Sequence, residues 1–225
     1  MKIERLEQNS LSVRAYMVLR EGLISGKFRP GQRLVMQDLA QQLGTSITPV
    51  REACLRLVSE RGLELRSGRF AIVPEMTMHR YMQVRTIRIA LEGLATELAA
   101  ANATADDVEK LTEINRLYAE HDLKGDADAT FRYNRDFHFG VYTLSGMDML
   151  VEQIEDLWLS MGPMLTVFFR EGDHRFVASP EHEKVIAALA ARDVKAAGEA
   201  MRQDLILGGE DFLRFLSERS RFSVE

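Results

Sequence analysis

Apolar positions recur at helical spacing along most of the chain, and the texture changes once. Val13, Met17, Leu19, Leu23 and Ile24 mark a first helix over 10–25, with Ser10 placed to cap it. Gly26 stops this run, and Phe28-Arg29-Pro30-Gly31 reads as a turn. Two short helical runs follow, Met36–Leu43 and Thr48–Arg61, separated by Gly44-Thr45-Ser46-Ile47. Thr48-Pro49 offers the second of them a cap and a first-turn proline. After Gly62, Leu63–Arg66 and Phe70–Val73 read as a hairpin around the basic tip Ser67-Gly68-Arg69, and Pro74 ends it.

From Thr77 onward strand signals vanish. Amphipathic runs near 77–101, 105–123, 126–145, 147–168, 179–191 and 193–217 read as helices. Their breaks fall at Asn102-Ala103-Thr104, Gly125, Ser145-Gly146 and Arg192-Asp193. About 150 residues of helix with short connections should pack as an antiparallel bundle. The fold class expected is mainly α, an N-terminal winged helix-turn-helix over 1–74 followed by an all-α antiparallel helical bundle over 75–225.

Composition narrows the function classes. Of 225 residues, 46% are hydrophobic and 28% charged, which suits one or two ordinary soluble domains. Aromatics at 8% and 15 glycines argue against both low-complexity disorder and a turn-rich β lattice. The lone Cys54 excludes an internal disulfide framework and fits a reducing compartment. The apolar stretches are interrupted every few residues, and the first ten residues, MKIERLEQNS, hold no apolar h-region. Neither a membrane span nor a secretory signal is expected, and the location expected is cytoplasmic. The net charge of −5 hides an asymmetry: residues 1–75 carry 12 Lys+Arg against 8 Asp+Glu (+4), and residues 76–225 carry 17 against 26 (−9). A basic head on an acidic body fits a binding module with a separate sensor, although domains also differ in charge without touching DNA.

Two short helices joined by a Gly-containing turn have the geometry that places a helix in the major groove. A small α/β subdomain with no nucleic-acid partner gives the same periodicity. The residues separate the two. Pro30-Gly31-Gln32-Arg33-Leu34, Leu39-Ala40-Gln41-Gln42-Leu43-Gly44-Thr45-Ser46 and Thr48-Pro49-Val50-Arg51-Glu52-Ala53 occur in order. They close on Leu55-Arg56-Leu57 and Glu60-Arg61-Gly62-Leu63. Over residues 10–74 this strongly resembles the winged helix of GntR-family transcription regulators. Thr45, Ser46 and Thr48 then lie at the start of the recognition helix, where hydroxyls and N–H groups bind phosphate. Arg51 is placed to read a guanine edge, and Arg33 and Arg69 to meet backbone or minor groove. Val50, Ala53, Leu55, Leu57 and Val58 are expected in the core, with Cys54 a partly buried filler; Arg56 and Arg61 read equally as solvated charges or DNA contacts. Two residues depart from the family: Ile47 stands where Arg is usual, and Met36 where Glu is usual. The missing Arg removes a base or phosphate contact, and Ile47 could instead touch a thymine methyl.

In the body, Asn134 and His138 are four apart within Phe131–Gly140, hence on one helix face, and Phe131 and Phe137 flank it. His182 opens a later helix, and Asp204 lies in the last. Singly, a His among aromatics is more often a hydrogen-bonded core residue than a ligand. Together with Arg88-Ile89-Ala90-Leu91-Glu92-Gly93-Leu94-Ala95, these segments resemble the FCD effector domain of the FadR-like branch, over roughly 77–217. Many such domains hold a divalent metal with one carboxylate and three histidines. The resemblance carries this to Asn134, His138, His182 and Asp204, with Asn134 in place of Asp and Asp204 in place of the third His. Two His, one Asp and one Asn suit Zn²⁺, Ni²⁺ or Mn²⁺. The alternative is a metal-free pocket in which the same groups bind an organic ligand directly. The effector-binding set is then Arg88, Asn134, His138 and His182. Arg88 is read by resemblance as a clamp for an organic-acid effector, and alternatively as a surface Arg paired with Glu92 at i+4. Trp158, Met161 and Phe168 fit an apolar wall or simple core; His79, His121 and His174 are given no role.

The leading expectation is a regulator, acting as a repressor, that binds a palindromic DNA operator as a homodimer under control of a small organic acid. Coupling between the two sites would be worth about 1–3 kcal/mol. The alternative is a metal-dependent enzyme acting on a small carboxylate, with Glu181 or Glu183 as base. Against it, no phosphate loop, nucleophile motif or organic-cofactor motif is visible. A pure scaffold would leave the inward polar set unexplained.

Overall fold

The computed structural model describes residues 11–172 and 177–222. Ser10, read as a cap, and His174 lie outside them. The head contains helix α1 (Leu11–Ile24), strand β1 (Arg33–Val35), helices α2 (Met36–Gln42) and α3 (Ile47–Ser59), and strands β2 (Glu64–Ser67) and β3 (Phe70–Ile72). The body contains α4 (Met78–Asn102), α5 (Ala105–Leu123), α6 (Ala127–Thr143), α7 (Asp148–Glu171), α8 (Ser179–Ala191) and α9 (Val194–Phe222).

The wing is a three-stranded antiparallel sheet in the order β1-β3-β2, with Leu34 opposite Ala71 and an irregular register between Leu65 and Ser67. β1 has no counterpart in the sequence reading: three residues are too few to display an alternation. The recognition helix also starts earlier than expected. Ser46 holds the extended N-cap position of α3, with no side-chain cap bond, so Thr48 lies inside the first turn and does not cap it. Elsewhere local chemistry sets the ends. Thr77 accepts from the Arg80 N–H at the start of α4, and Thr104 and Asp107 form a reciprocal capping box on α5. Pro180 sits in the first turn of α8, where its missing N–H costs nothing. Left-handed Gly125 and Gly146 follow the ends of α5 and α6.

Head and body each bury their own apolar cluster. Leu19, Leu23, Val50, Leu57, Leu63 and Ala71 form the first; Phe137, Tyr142, Ile154, Trp158, Met201 and Phe212 anchor the second. Cys54 is fully buried rather than partly so, and Val58 is half-buried against the head cluster. Leu55, expected in the core, is 45% exposed because it falls on the solvent side of α3. Leu159 belongs to the body by sequence yet packs in the head cluster. This follows from α1 lying against α7. Gly162 permits the approach, since a Cβ there would stand 2.7 Å from the Leu23 carbonyl oxygen and 2.8 Å from the Ile24 Cα. A neighbouring face of the same helix, through Trp158, Met161, Leu165 and Phe168, walls a cavity in the bundle.

Candidate functional site

The bundle cavity is built from side chains of several helices. α6 presents Asn134 and His138 one turn apart, α8 presents His182, and α9 presents Asp204. All four are buried. His138 Nε2 lies 3.4 Å from one Asp204 carboxylate oxygen, and His182 Nε2 lies 3.8 Å from the other. One donor atom from each of the three falls within 4.8 Å of the others.

Partners behind the imidazoles fix which nitrogen faces inward. Asn115 donates its amide N–H to the Ser179 carbonyl (3.2 Å), so its oxygen is the group that accepts the His182 Nδ1–H (3.0 Å). Tyr142 donates its hydroxyl to Glu92, so the same hydroxyl accepts the His138 Nδ1–H (2.8 Å). Both Nε2 lone pairs therefore point at the Asp204 carboxylate with no hydrogen on either nitrogen. His182 Nε2 and Asp204 Oδ1 are buried without a partner among the described residues. Such an arrangement is repulsive unless a proton or a cation stands between the groups.

Burial shapes the titration of each group. It lowers His182 to about 3, and it lowers His138 well below the usual imidazole range, aided by His182 and Arg88. Burial raises the Asp204 carboxyl to about 8, against the pull of Arg88. Two neutral imidazoles and an under-partnered carboxyl are the donor set of a divalent-metal site, and the residues present fit one. Asn134 lines the cavity together with Arg88, His138 and Asp204. His182, expected on the effector wall, does not line the cavity. It stands fully buried against the Phe137 ring (3.9 Å between centroids, 18° between planes) and reaches only the Asp204 side.

Arg88 also differs from the expected clamp. It does pair with Glu92 one turn on, but inside the bundle, at 2.5 Å (Nε–Oε1) and 3.1 Å (Nη2–Oε2). Its guanidinium lies over the Trp158 ring, 4.7 Å from the centroid, and Nη1 meets the Met161 sulfur at 3.7 Å. Glu92 further accepts from Tyr142 and from the Trp158 indole N–H (3.2 Å). Tyr142 and Asn115 were absent from the sequence reading, and Glu92 took a role in it only as a surface partner for Arg88. The spacings 88/92 and 138/142 were visible there; the Asn115–His182 contact joins positions 67 apart and leaves no periodic trace.

On the head, the predicted DNA-facing residues are gathered but not equivalent. Ser46 and Thr48 are exposed at the start of α3, whereas Thr45 turns its hydroxyl inward, buried and without a partner among the described residues. Arg51, exposed one turn into α3, donates to the Gly68 carbonyl at the wing tip (3.1 Å). Arg33 stacks over Phe70 (3.8 Å), and Arg69 is exposed on the wing. Arg56 is drawn away from this face, bonded to Glu60 (2.9 Å) and lying over Tyr16 (3.7 Å). Ile47 is half-buried against the head cluster. Among the described residues, no helix is long and apolar enough to cross a membrane.

Comparison with known proteins gives the frame for both sites. The gntR family of bacterial regulatory proteins matches residues 11–73, and the FCD domain matches residues 83–206. The HTH-type transcriptional regulator McbR of Escherichia coli (strain K12) is 34% identical over 209 residues, covering 90% of this chain and 95% of McbR. The HTH-type transcriptional repressor GlaR of the same organism is 26% identical, over 87% of this chain and 92% of GlaR. The solved structure of E. coli McbR/YncC has a TM-score of 0.81 at 32% identity, covering 95% of this chain and 100% of that one. The chain belongs to the GntR family of bacterial regulatory proteins, its body is an FCD domain, and it is a transcription regulator rather than an enzyme.

Proposed function

We propose that the chain divides into a DNA-binding head (1–74) and an effector-binding, dimerising body (75–225), and that it represses transcription until a small organic acid enters the bundle. Ser46, Thr48, Arg51, Arg33 and Arg69, with Thr45 at the helix start, form the operator-contacting set. A homodimer places two heads on the half-sites of a palindrome. Support for the second copy comes from α4, which leaves Ile87 and Leu94, seven apart and so on one face, exposed.

The observation carrying the effector reading is the set of inward-facing donor atoms of His138, His182 and Asp204, both imidazole Nε2 atoms free of hydrogen, beside a lined cavity. These residues, with Asn134, would hold Zn²⁺, Ni²⁺ or Mn²⁺. When bound, such an ion supplies positive charge and open coordination positions for a carboxylate. Tyr142 and Asn115 hold the two imidazoles in the ligating tautomer, and Arg88 directs an N–H edge into the cavity. The test is a thermal-shift series with small organic acids, with and without chelator, on the wild-type chain and on His138→Ala. A stabilisation that vanishes with chelator and in the variant is expected. Binding indifferent to both would remove the metal and leave direct recognition by the polar side chains. A gel shift on a palindromic operator, weakening with salt and with effector, tests the DNA half.

A further inference from the structure

We propose, building on the effector reading above, that the Tyr81 hydroxyl is a second recognition point in the bundle cavity, and that it selects a small aromatic acid carrying a hydroxyl at the end away from its carboxylate. Two helices give the cavity its length. On α4, Tyr81 and Arg88 are seven apart and share a face; on α9, Gly208 lies one turn beyond Asp204. All four line the cavity. The helices run antiparallel, Glu97 pairing with Arg202 and Arg85 with the Ile206 carbonyl, so Tyr81 and the Gly208-Gly209 pair mark the same end. Seven residues of helix rise about 10 Å and four about 6 Å, which sets that end well apart from the His138–Asp204 group.

What stands there is a hydroxyl in want of a partner. Tyr81 is 3% exposed, and its ring meets Phe212 edge-on at 4.5 Å. A buried tyrosine hydroxyl ordinarily has a hydrogen-bond partner. The other buried tyrosines obey this: Tyr16 donates to Glu60, Tyr118 is bonded to the Ala178 backbone, and Tyr142 donates to Glu92. Among the described residues the Tyr81 hydroxyl has none. Gly209 shows where it points. A Cβ at that position would stand 2.8 Å from the Tyr81 hydroxyl oxygen, so the oxygen lies over a residue that itself lines the cavity. Glycine is unfavourable inside a helix, and here it leaves the hydroxyl uncovered.

The surroundings specify the ligand group. Arg85 stands behind the hydroxyl, its Nη2 donating to the Ile206 carbonyl (2.6 Å), and does not line the cavity. Among the described lining residues Arg88 is the only cation, and it is already paired with Glu92. The Tyr81 end therefore offers one O–H and no positive charge, which suits an uncharged oxygen and not a second carboxylate. Between the two ends Trp158, Phe168, Phe169 and Phe212 supply aromatic surface, against which another ring packs well. A carboxylate and a hydroxyl at opposite ends of one benzene ring fit this layout.

The experiment uses the full chain, stripped with chelator and then either kept metal-free or titrated with Zn²⁺ by calorimetry. Para-hydroxybenzoate and para-methylbenzoate, alike in shape and charge, are titrated into both forms. Wild type is expected to bind the hydroxy acid about tenfold tighter, and Tyr81→Phe to lose that preference while holding para-methylbenzoate within about twofold of wild type. A second readout needs no ligand. Tyr81→Phe removes a hydroxyl without a protein partner and should melt at or above the wild-type temperature, whereas Tyr142→Phe should melt lower. Tyr81→Phe melting as low as Tyr142→Phe would overturn the proposal, because the hydroxyl would then be held within the chain. Equal affinity of wild type for the two acids would also overturn it, as would a preference that survives Tyr81→Phe. If Zn²⁺ is not retained, the metal reading fails, and the comparison on the metal-free form still decides Tyr81. If Zn²⁺ is retained and neither acid binds either form, the present inference alone fails.

Discussion

Glu92→Leu is the sharpest test of the buried network. In the structure Glu92 has no exposed surface, and its carboxylate is shared by the Arg88 guanidinium, the Tyr142 hydroxyl and the Trp158 indole. Removing it strands a cation that is itself only 7% exposed. Breaking a buried pair from one side costs about 3–5 kcal/mol, because the surviving charge has no solvent to return to. For a chain of this length each kcal/mol moves Tm by roughly 2–4 °C, so a fall of about 6–20 °C is expected. Arg88→Met combined with Glu92→Leu removes both charges and should recover part of the loss, since the Tyr142 and Trp158 donors lose their acceptor in both variants but the stranded cation is gone. The assay is urea and thermal unfolding followed by far-UV circular dichroism. Fluorescence of Trp158, the only tryptophan in the chain, reports the site directly. A Glu92→Leu protein as stable as wild type would refute the reasoning. So would a double variant weaker than the single one.

Three further outcomes follow from particular contacts. Arg51→Ala should lower operator affinity by the roughly 1–3 kcal/mol of a lost base-edge contact, whereas Arg56→Ala, already held by Glu60 and Tyr16, should change it by only a few-fold; a gel shift that ranks them the other way would undo the assignment. The Cys54 thiol, fully buried and pushed up to about 11 by burial, should resist a disulfide reagent at mildly alkaline pH and react only in urea; fast labelling of the native chain would contradict that burial. Gly162→Ala pushes a methyl against backbone of α1 and should cost about 1–3 kcal/mol, whereas Gly140→Ala meets only the Leu111 methyl at 3.0 Å and should cost less. Equal melting temperatures for those two variants would mean that α1 and α7 are not as closely seated as described.

The helices of the body were legible because Gly, Pro and capping residues punctuate an otherwise continuous 3.6-residue period. Thr104, Gly125, Gly146 and Pro180 stand at ends that the structure also has. Strand β1 was not, since Arg33–Val35 is too short to alternate, and its partners Phe70–Ile72 lie far along the chain. The ligating side chains were visible through family resemblance, and Asn134 with His138 also through spacing. What held them was not. Tyr142 sits one turn beyond His138, but its role depends on Glu92 fifty residues away, and Asn115 acts across helices, so neither role is written as a local pattern. The Arg88–Glu92 spacing was plain, yet its burial was not, because sequence periodicity cannot tell a paired charge inside a bundle from one on its surface. Leu55 shows the converse: an apolar residue in an apolar run, left in solvent by the turn of its helix.

The seating of Leu159 among head residues, with Gly162 one turn on, has a consequence for how such regulators can be recombined. Cutting the polypeptide at the end of the wing would not yield an intact module, because one wall of the head's interior is contributed from some eighty-five residues downstream. A chimera joining this head to a foreign body would have to import the matching stretch of α7, its small residue included. A shuffled gene that kept the boundary in the sequence but lost that stretch would carry a head with an open side. In this protein the unit of exchange is set by a shared helix rather than by the linker.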